Sequence, residues 1–346
     1  MLVDGIRIAD DAPCYTITEI GNNHQGEVEV CKKMFLAAKQ CGASSVKLQK
    51  RDNKTLFTRE MYDSAYVSEN AFGDTYGTHR EAVEFGRDEY VELKRYAKEI
   101  GITFFSTAFD FKSADFLAEL DMPAYKLASG DLINTPLLKH VAKIGKPMFV
   151  STGGGTMDDI RRAYDTIMPI NSQLCIMQCT AGYPPKWEEL NLKVIETLRR
   201  EFDDIVVGFS SHDSGIAMAV VGYVLGARVI EKHFTLNRAM KGTDHAFSLE
   251  VPGFQKLVRD LERARISMGD GQKRRYESET KPLFKMAKKL VAASDLPAGT
   301  TIKPAHIAIK SPNDGVPPYT FDTFIGKTLK VALKADDNLR PEDVEG

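Results

Sequence analysis

Short apolar runs alternate with amphipathic stretches along roughly the first 270 residues, the rhythm of strands alternating with helices. The runs fall at 14–20, 45–49, 102–107, 124–128, 147–152, 173–179, 205–209 and 228–233. Each is rich in β-branched or aromatic residues and too short for a helix, so each predicts a buried strand. The stretches between them repeat at helical spacing. Asp88 is placed to cap a helix carrying Tyr90, Leu93, Ala97 and Ile100 on one face, and Thr156 with Asp159 has capping-box spacing ahead of Ile160, Ala163 and Ile167. Further helices are expected over 189–200 and 214–225, while Gly42, Gly101, Gly145 and Gly226 stand where helices stop. Eight strands alternating with helices over about 250 residues is the arithmetic of an α/β protein closed as a parallel (β/α)₈ TIM barrel. An open doubly wound sheet is the structural rival. It would carry a glycine-rich phosphate turn after the first strand, and Gly21-Asn22-Asn23-His24-Gln25-Gly26 is not that fingerprint.

Two interruptions of the rhythm predict further organisation. The stretch 50–87 is long and polar, with Tyr62, Tyr66, Phe72 and Tyr76 scattered through it, as suits a substrate-covering loop at a barrel mouth. Beyond a helix starting near Pro252 the alternation ends. The expected division is a barrel over 1–268, a charged linker over 269–285 and a small β-rich unit over 286–346, with strands near 290–292, 307–310 and 328–333.

Composition narrows the class. The chain has 346 residues, 43% hydrophobic and 27% charged, with a net charge of −2. That balance gives no reason to expect nucleic acid or an anionic membrane as partner, and the basic run Lys273-Arg274-Arg275 reads as solvated linker. No segment approaches the ~18 apolar residues needed to span a bilayer, and the first residues lack a leader's charged and apolar regions. Cys14, Cys31, Cys41, Cys175 and Cys179 are odd in number and contain no CxxC pair, so reduced thiols in a cytoplasmic protein are expected.

Chemistry in such a barrel belongs at the C-terminal ends of its strands, and polar residues concentrate there. The first strand ends at Glu19, the second carries Lys47 and Gln49, and the third closes with Ser106 and Thr107. Lys126 and Ser129 follow on the fourth, Ser151 and Thr152 on the fifth, and Thr180 on the sixth. Ser210, Ser211 and His212 end the seventh, and Glu231, Lys232 and His233 the eighth. Buried unpaired, such groups would cost several kcal/mol, so their clustering marks a site. Lys47 and Lys126 with Thr107, Ser129, Ser151 and Ser210 suit a dense anion carrying phosphate and carboxylate; the competing reading pairs each lysine with Glu19 or Glu231 as scaffolding. His212 and His233 end adjacent strands about 4.8 Å apart, close enough to share a divalent ion, and the competing reading makes each a satisfied core histidine. His24, His79 and His245 lie in loops near the same rim, whereas His140 and His306 read as structural or solvated. The triple glycine 153–155 is either a nest for an anion or a tight turn.

At these residues the sequence resembles the sialic acid synthase family: N-acetylneuraminate synthases and their 9-phosphate, legionaminate and pseudaminate relatives. The resemblance spans nearly the whole chain. It is carried by Glu19-Ile20-Gly21-Asn22-Asn23-His24-Gln25-Gly26, Val46-Lys47-Leu48-Gln49-Lys50, Tyr125-Lys126-Leu127-Ala128-Ser129-Gly130-Asp131, Gln178-Cys179-Thr180-Ala181-Gly182-Tyr183-Pro184, Gly208-Phe209-Ser210-Ser211-His212 and Glu231-Lys232-His233-Phe234-Thr235. It implies condensation of phosphoenolpyruvate with the open-chain aldehyde of an N-acylmannosamine, free or as its 6-phosphate. By the same resemblance His212 and His233 match the ligands of a divalent metal, Mn²⁺ or Mg²⁺, that polarises the aldehyde oxygen. Lys47, Thr107, Lys126, Ser129, Ser151 and Ser210 match positions holding phosphoenolpyruvate, and Glu19 matches a candidate acid/base. Gln49, Asn70, Tyr183, Glu231 and Asp244 match the sugar side. The C-terminal unit, opening at Val291-Ala292-Ala293-Ser294-Asp295-Leu296-Pro297-Ala298-Gly299-Thr300, looks like an antifreeze-like (SAF) domain, which in relatives covers the partner's barrel mouth and so implies a domain-swapped homodimer.

Two positions depart from bacterial relatives: Ala181 stands where some have a sugar-contacting Asn, and Ser311 replaces an arginine that reaches the partner's site. Thr75-Tyr76-Gly77-Thr78-His79-Arg80, Lys241-Gly242-Thr243-Asp244-His245 and Gly315-Val316-Pro317-Pro318 look more like animal-type synthases, which use the sugar 6-phosphate; Lys241 and Arg80 are the basic residues expected to meet it. The rival readings are a legionaminate or pseudaminate synthase acting on a related 2-acetamido sugar, a Schiff-base aldolase with Lys126 as nucleophile, and a non-catalytic sugar-binding protein relying on the terminal domain.

Overall fold

Eight parallel strands close on one another in the computed structural model, which describes residues 1–346. They are β1 (Tyr15–Gly21), β2 (Ser45–Lys50), β3 (Thr103–Ala108), β4 (Tyr125–Leu127), β5 (Met148–Ser151), β6 (Leu174–Cys179), β7 (Val206–Ser211) and β8 (Val229–His233). Each pairs with its neighbour in chain order, and β8 returns to β1 to complete the (β/α)₈ barrel. The helices between them are α1 (Val28–Gln40), α2 (Arg87–Ile100), α3 (Phe111–Glu119), α4 (Thr135–Ala142), α5 (Met157–Ile167), α6 (Val194–Glu201) and α7 (Ala217–Val224), with α8 (Val251–Ser267) after β8.

Strand alternation divides the apolar residues into two layers. Outward-facing Val46, Leu48, Phe104, Leu127, Val150, Ile176 and Ile230 pack against the buried faces of the helices. Inward-facing Tyr15, Ile17, Phe105, Ala124, Phe149, Cys175, Met177 and Val229 fill the barrel's lower interior. A hairpin of Leu2–Val3 with Ile6–Arg7 plugs that end through buried Val3 and Ile8. Two-residue strands are too short to leave a periodic signal, so the hairpin was not anticipated.

The chain divides into two compact units, Met1–Gly269 and Asp270–Gly346. In the second, Lys289–Ala292 pairs antiparallel with Ile307–Lys310, and Thr328–Leu329 with Val344–Glu345, over a core of Leu290, Ile302, Phe324 and Leu339. The strand expected over 328–333 therefore ends at Leu329; Leu333 instead bridges Leu296.

Other local differences have simple causes. Helix α2 starts two residues earlier than its expected cap: Gly86 is the N-cap, with its backbone N–H donating to Glu89 Oε2 at 2.9 Å, and Asp88 lies inside the first turn. The helix expected over 189–200 splits into a 3₁₀ turn at Trp187–Glu189 and then α6, and α7 begins only at Ala217. The polar stretch after β2 holds three short helices, Asn53–Leu56, Arg59–Asp63 and Tyr76–Glu81, capped by Asp52, Thr58 and Thr75 side chains. All five cysteines are free thiols.

Candidate active site

The inward register that stacks apolar side chains in the lower barrel continues upward into polar ones. Two residues above Ile17, Phe105, Ala124, Phe149 and Val229 come Glu19, Thr107, Lys126, Ser151 and Glu231. Pairing then sets their neighbours: Glu19 lies opposite both His233 and Lys47, Lys126 opposite Thr107, and Glu231 opposite Ser210. The strands thus deliver cations, carboxylates and hydroxyls to one layer, lining a cavity of about 550 Å³ at the C-terminal rim.

Lys47 is 2% exposed; its Nζ contacts Glu19 Oε2, donates to Thr107 Oγ1 at 2.7 Å and lies 3.5 Å from Glu231 Oε1. Lys126 Nζ faces the other oxygen of Glu231, also at 3.5 Å. Both readings of the lysines thus meet in one place, since the ion pairs that scaffold the ring also hold two ammoniums at the cavity wall. Burial pushes the Glu19 carboxyl up despite Lys47 beside it. Burial would push Glu231 up too, but Lys126 and Lys47 overcome it and bring that carboxyl down to about 2. Two carboxylates in one layer are thereby set apart: Glu231 holds its charge and Glu19 takes a proton more readily. Gln49 extends the network, its Nε2 donating to Glu19 Oε1 at 2.7 Å.

The two imidazoles meet with ring centroids 5.3 Å apart. His212 Nδ1 donates to the Thr180 carbonyl at 3.0 Å, which fixes its tautomer and leaves Nε2 as a bare lone pair. His233 Nδ1 is buried without a hydrogen-bond partner, 3.6 Å from Asp244 Oδ2. Burial drives both down, His212 to about 3 and His233 to about 4, so both are neutral near neutrality. Tyr183 and Phe247 wall the pair, with centroids 4.2 Å from His212 and 4.9 Å from His233. No three His, Cys, Asp or Glu side chains are grouped to enclose a metal, so any ion here would rest on two imidazoles and keep open positions.

Of the residues expected at a site, Glu19, Lys47, Gln49, Thr107, Lys126, Ser129, Ser151, Tyr183, Ser210, His212, Glu231, His233 and Asp244 all line this cavity. Asn70 does not. Its Oδ1 accepts from the Gly242 N–H at 2.9 Å, fastening the loop after β2 to the loop after β8. Arg80 reaches the cavity, whereas Lys241 lies outside its lining with Nζ 4.8 Å from the centre of the Phe72 ring. The triple glycine is a turn: Gly153 N–H is taken by Ser129 Oγ at 3.0 Å, and a Cβ there would come within 2.8 Å of that oxygen. His24 stacks on Phe85, His79 packs among Tyr66, Phe72 and Tyr76, and His245 bonds Thr235 Oγ1 at 2.7 Å, so all three are structural. His140 pairs with Asp115. Sequence reasoning missed Arg51, Phe109, Thr243 and Phe247 on the wall. Arg51 and Phe109 each follow a strand by one residue, which was the available signal; Thr243 and Phe247 sit in an irregular loop that carries none.

The NeuB family model matches residues 34–273, and the SAF domain model residues 289–345. The chain is 39% identical over 345 residues to the N-acetylneuraminate-9-phosphate synthase of Mus musculus, covering 99% of this chain and 96% of that one. The human protein of the same name is 38% identical with the same coverage. Among solved structures, the N-acetylneuraminic acid (sialic acid) synthetase of Leptospira borgpetersenii superposes with a TM-score of 0.71 at 28% identity, over 82% of this chain and 94% of that one.

Proposed function

We propose, for a chain that belongs to the NeuB family, that the cavity joins phosphoenolpyruvate to the aldehyde carbon of an open-chain N-acylmannosamine, giving a nonulosonic acid of the N-acetylneuraminate type and inorganic phosphate. The observation that carries this reading is the shared layer of Lys47, Lys126, Glu19, Glu231, His212 and His233 in one cavity. A donor with both phosphate and carboxylate needs at least two fixed cations, and Lys47 and Lys126 supply them, with Thr107, Ser129, Ser151 and Ser210 as hydroxyl partners. Tyr183, Gln49, Glu231 and Asp244 border the space left for the sugar.

The reaction forms a bond from the enol carbon of the donor to the aldehyde carbon, adds water at the donor's C2 and breaks the C2–oxygen–phosphate link. Glu19 is the group suited to move a proton beside the reacting carbons, because burial has raised its carboxyl and Gln49 and Lys47 hold its two oxygens in place. Lys47 and Lys126 retain the phosphate and carboxylate as charge redistributes. His212 and His233 fit a divalent cation on their own chemistry: neutral rings, one bare Nε2 and one buried unpartnered Nδ1. When bound there, such an ion supplies Lewis-acid polarisation of the aldehyde oxygen. The small unit matches the SAF model, which supports a functional assembly of two chains.

Phosphate release from phosphoenolpyruvate, followed with N-acetylmannosamine and its 6-phosphate as acceptors, tests the reading. Turnover is expected only with donor and acceptor together, lost in the folded variant His233→Ala and lost on chelation of the wild-type protein, where adding back Mn²⁺ or Mg²⁺ restores it. Chelator-insensitive turnover of pyruvate, with a borohydride-trapped adduct at Lys126, would replace it with the Schiff-base aldolase.

A further inference from the structure

Arg51 lines the cavity and is only 8% exposed, yet it has no part in the chemistry above. Strand β2 turns Lys47 and Gln49 inward, and the same period of two carries on to Arg51, one residue past the strand's end. The guanidinium lies over Phe109, its Cζ 3.8 Å from the ring centre. Burial, with Arg80 also near, lowers it to about 10, so it is charged near neutrality. No carboxylate bonds its side chain: Glu84, which accepts from the Arg51 backbone N–H at 3.2 Å, pairs with Lys50 at 2.7 Å. Its one side-chain hydrogen bond runs from Nη2 to Gln49 Oε1 at 2.6 Å, and Nη1 is buried with no partner. The other end of the Gln49 amide, Nε2, donates to Glu19 Oε1 at 2.7 Å, while Lys47 Nζ contacts Glu19 Oε2.

A side-chain amide is nearly symmetric in shape, so its neighbours decide which end points where. A guanidinium has only donors, so the Gln49 atom facing it must be the carbonyl oxygen, and the amide N–H edge must then face Glu19. Turned over, the amide would set its NH₂ against the guanidinium and its carbonyl against the carboxyl, where only a protonated Glu19 could answer it. We propose that Arg51 is a positioning residue for the acid/base: by fixing the sense of the Gln49 amide, it keeps an N–H on Glu19 Oε1. With Lys47 on the other oxygen, both oxygens of Glu19 are then held as acceptors beside the reacting carbons. The inference rests on the reading above that Glu19 moves a proton in the condensation. Phe109 belongs to the device, because a guanidinium stacked on a ring presents its N–H edge, not its face, to the amide oxygen.

Arg51→Met removes the donor and keeps most of the side chain that covers Phe109. The assay uses the full-length protein with phosphoenolpyruvate and whichever of N-acetylmannosamine and its 6-phosphate is turned over. In it kcat is expected to fall by about tenfold, the worth of one charge-assisted hydrogen bond, with KM for phosphoenolpyruvate within about twofold of wild type. Arg51→Lys, which keeps a cationic donor above the same ring, should recover part of the loss. The decisive arm is a double-mutant cycle with Gln49→Leu. If Arg51 acts through Gln49, adding Arg51→Met to Gln49→Leu lowers kcat by less than about twofold. A tenfold fall in both backgrounds, or none in either, overturns the proposal. So does a loss confined to KM for the sugar, which would make Arg51 a direct contact of the acceptor. If the wild type releases no phosphate with either acceptor, the functional reading fails on its own account. Urea midpoints then decide the arrangement separately: the shift caused by Arg51→Met should vanish in Gln49→Leu, and an equal shift in both backgrounds, or none in either, overturns it.

Discussion

Replacing Lys126 by Met removes one charge from the ring and almost nothing from its volume. Lys126 Nζ lies 3.5 Å from Glu231 Oε2, and at an effective dielectric constant near 20 that separation corresponds to a gross attraction of about 5 kcal/mol. Most of it offsets the cost of taking both groups out of water, so the net effect on folding is far smaller. The effect on the donor is not offset in the same way. Each charge-assisted hydrogen bond to the donor's phosphate or carboxylate is worth about 1.5–3 kcal/mol, or roughly 10- to 150-fold in affinity. Without Lys126, Glu231 keeps only Lys47 close by and presents more uncompensated negative charge to an anionic donor, which moves the loss toward the upper end. Initial rates of phosphate release should therefore show KM for phosphoenolpyruvate raised by about 50- to 150-fold, with KM for the sugar within about threefold of wild type. A folded Lys126→Met protein whose donor KM stays within about twofold of wild type would refute the assignment and leave Lys126 as scaffold.

Behind the imidazoles, Lys232 and Asp213 form a pair only 1% and 2% exposed, with Lys232 Nζ also donating to the Asp213 carbonyl at 2.5 Å. Lys232→Met leaves Asp213 buried and uncompensated, at a cost of about 3–5 kcal/mol and a fall in Tm on the order of 10 °C; adding Asp213→Asn should restore much of it, and equal Tm values for all three proteins would exclude the pair as a structural tie. At the barrel's other end, Arg199, bonded to both oxygens of Asp10 at 2.8 and 2.9 Å, and Arg228 at 2.7 Å hold the Asp10 carboxyl below its usual range. A depressed carboxyl contributes stability that is present above its unfolded pKa of about 3.9 and is lost as pH falls through the native one. Urea midpoints of wild type and Asp10→Asn should accordingly differ near neutrality and converge as pH drops below that range, whereas a gap independent of pH would show that the charge is not what matters.

The barrel was legible because strand and helix periods differ and each run kept to one of them. The polar ring was legible for a related reason: Glu19, Lys47, Lys126 and Glu231 interrupt apolar strands where burial has to be justified by partners. Their mutual pairing was foreseeable only as an alternative, since period-2 alternation gives the face of the sheet but not the inter-strand register that sets Glu19 opposite Lys47. Loop residues were the weak point. Asn70 was placed on the sugar side by resemblance, yet its position depends on three short helices whose turns leave no periodic trace, and its amide oxygen serves a backbone N–H instead. Arg51 went unnoticed because an arginine just past a strand reads as solvent-facing until Phe109 is seen to cover it.

Two side-chain amides lace the rim together: Gln25 donates to the Lys241 carbonyl at 2.5 Å, and Asn70 accepts from the next residue's N–H. Gly242 at that knot has φ +142°, and a Cβ on it would press within 2.8 Å of the His245 ring. Three separate stretches of chain therefore behave as one woven collar. Swapping any single strand of the weave from a cousin with different tastes would leave a main-chain group without its answer, so grafts meant to change what the enzyme accepts should carry all three across at once.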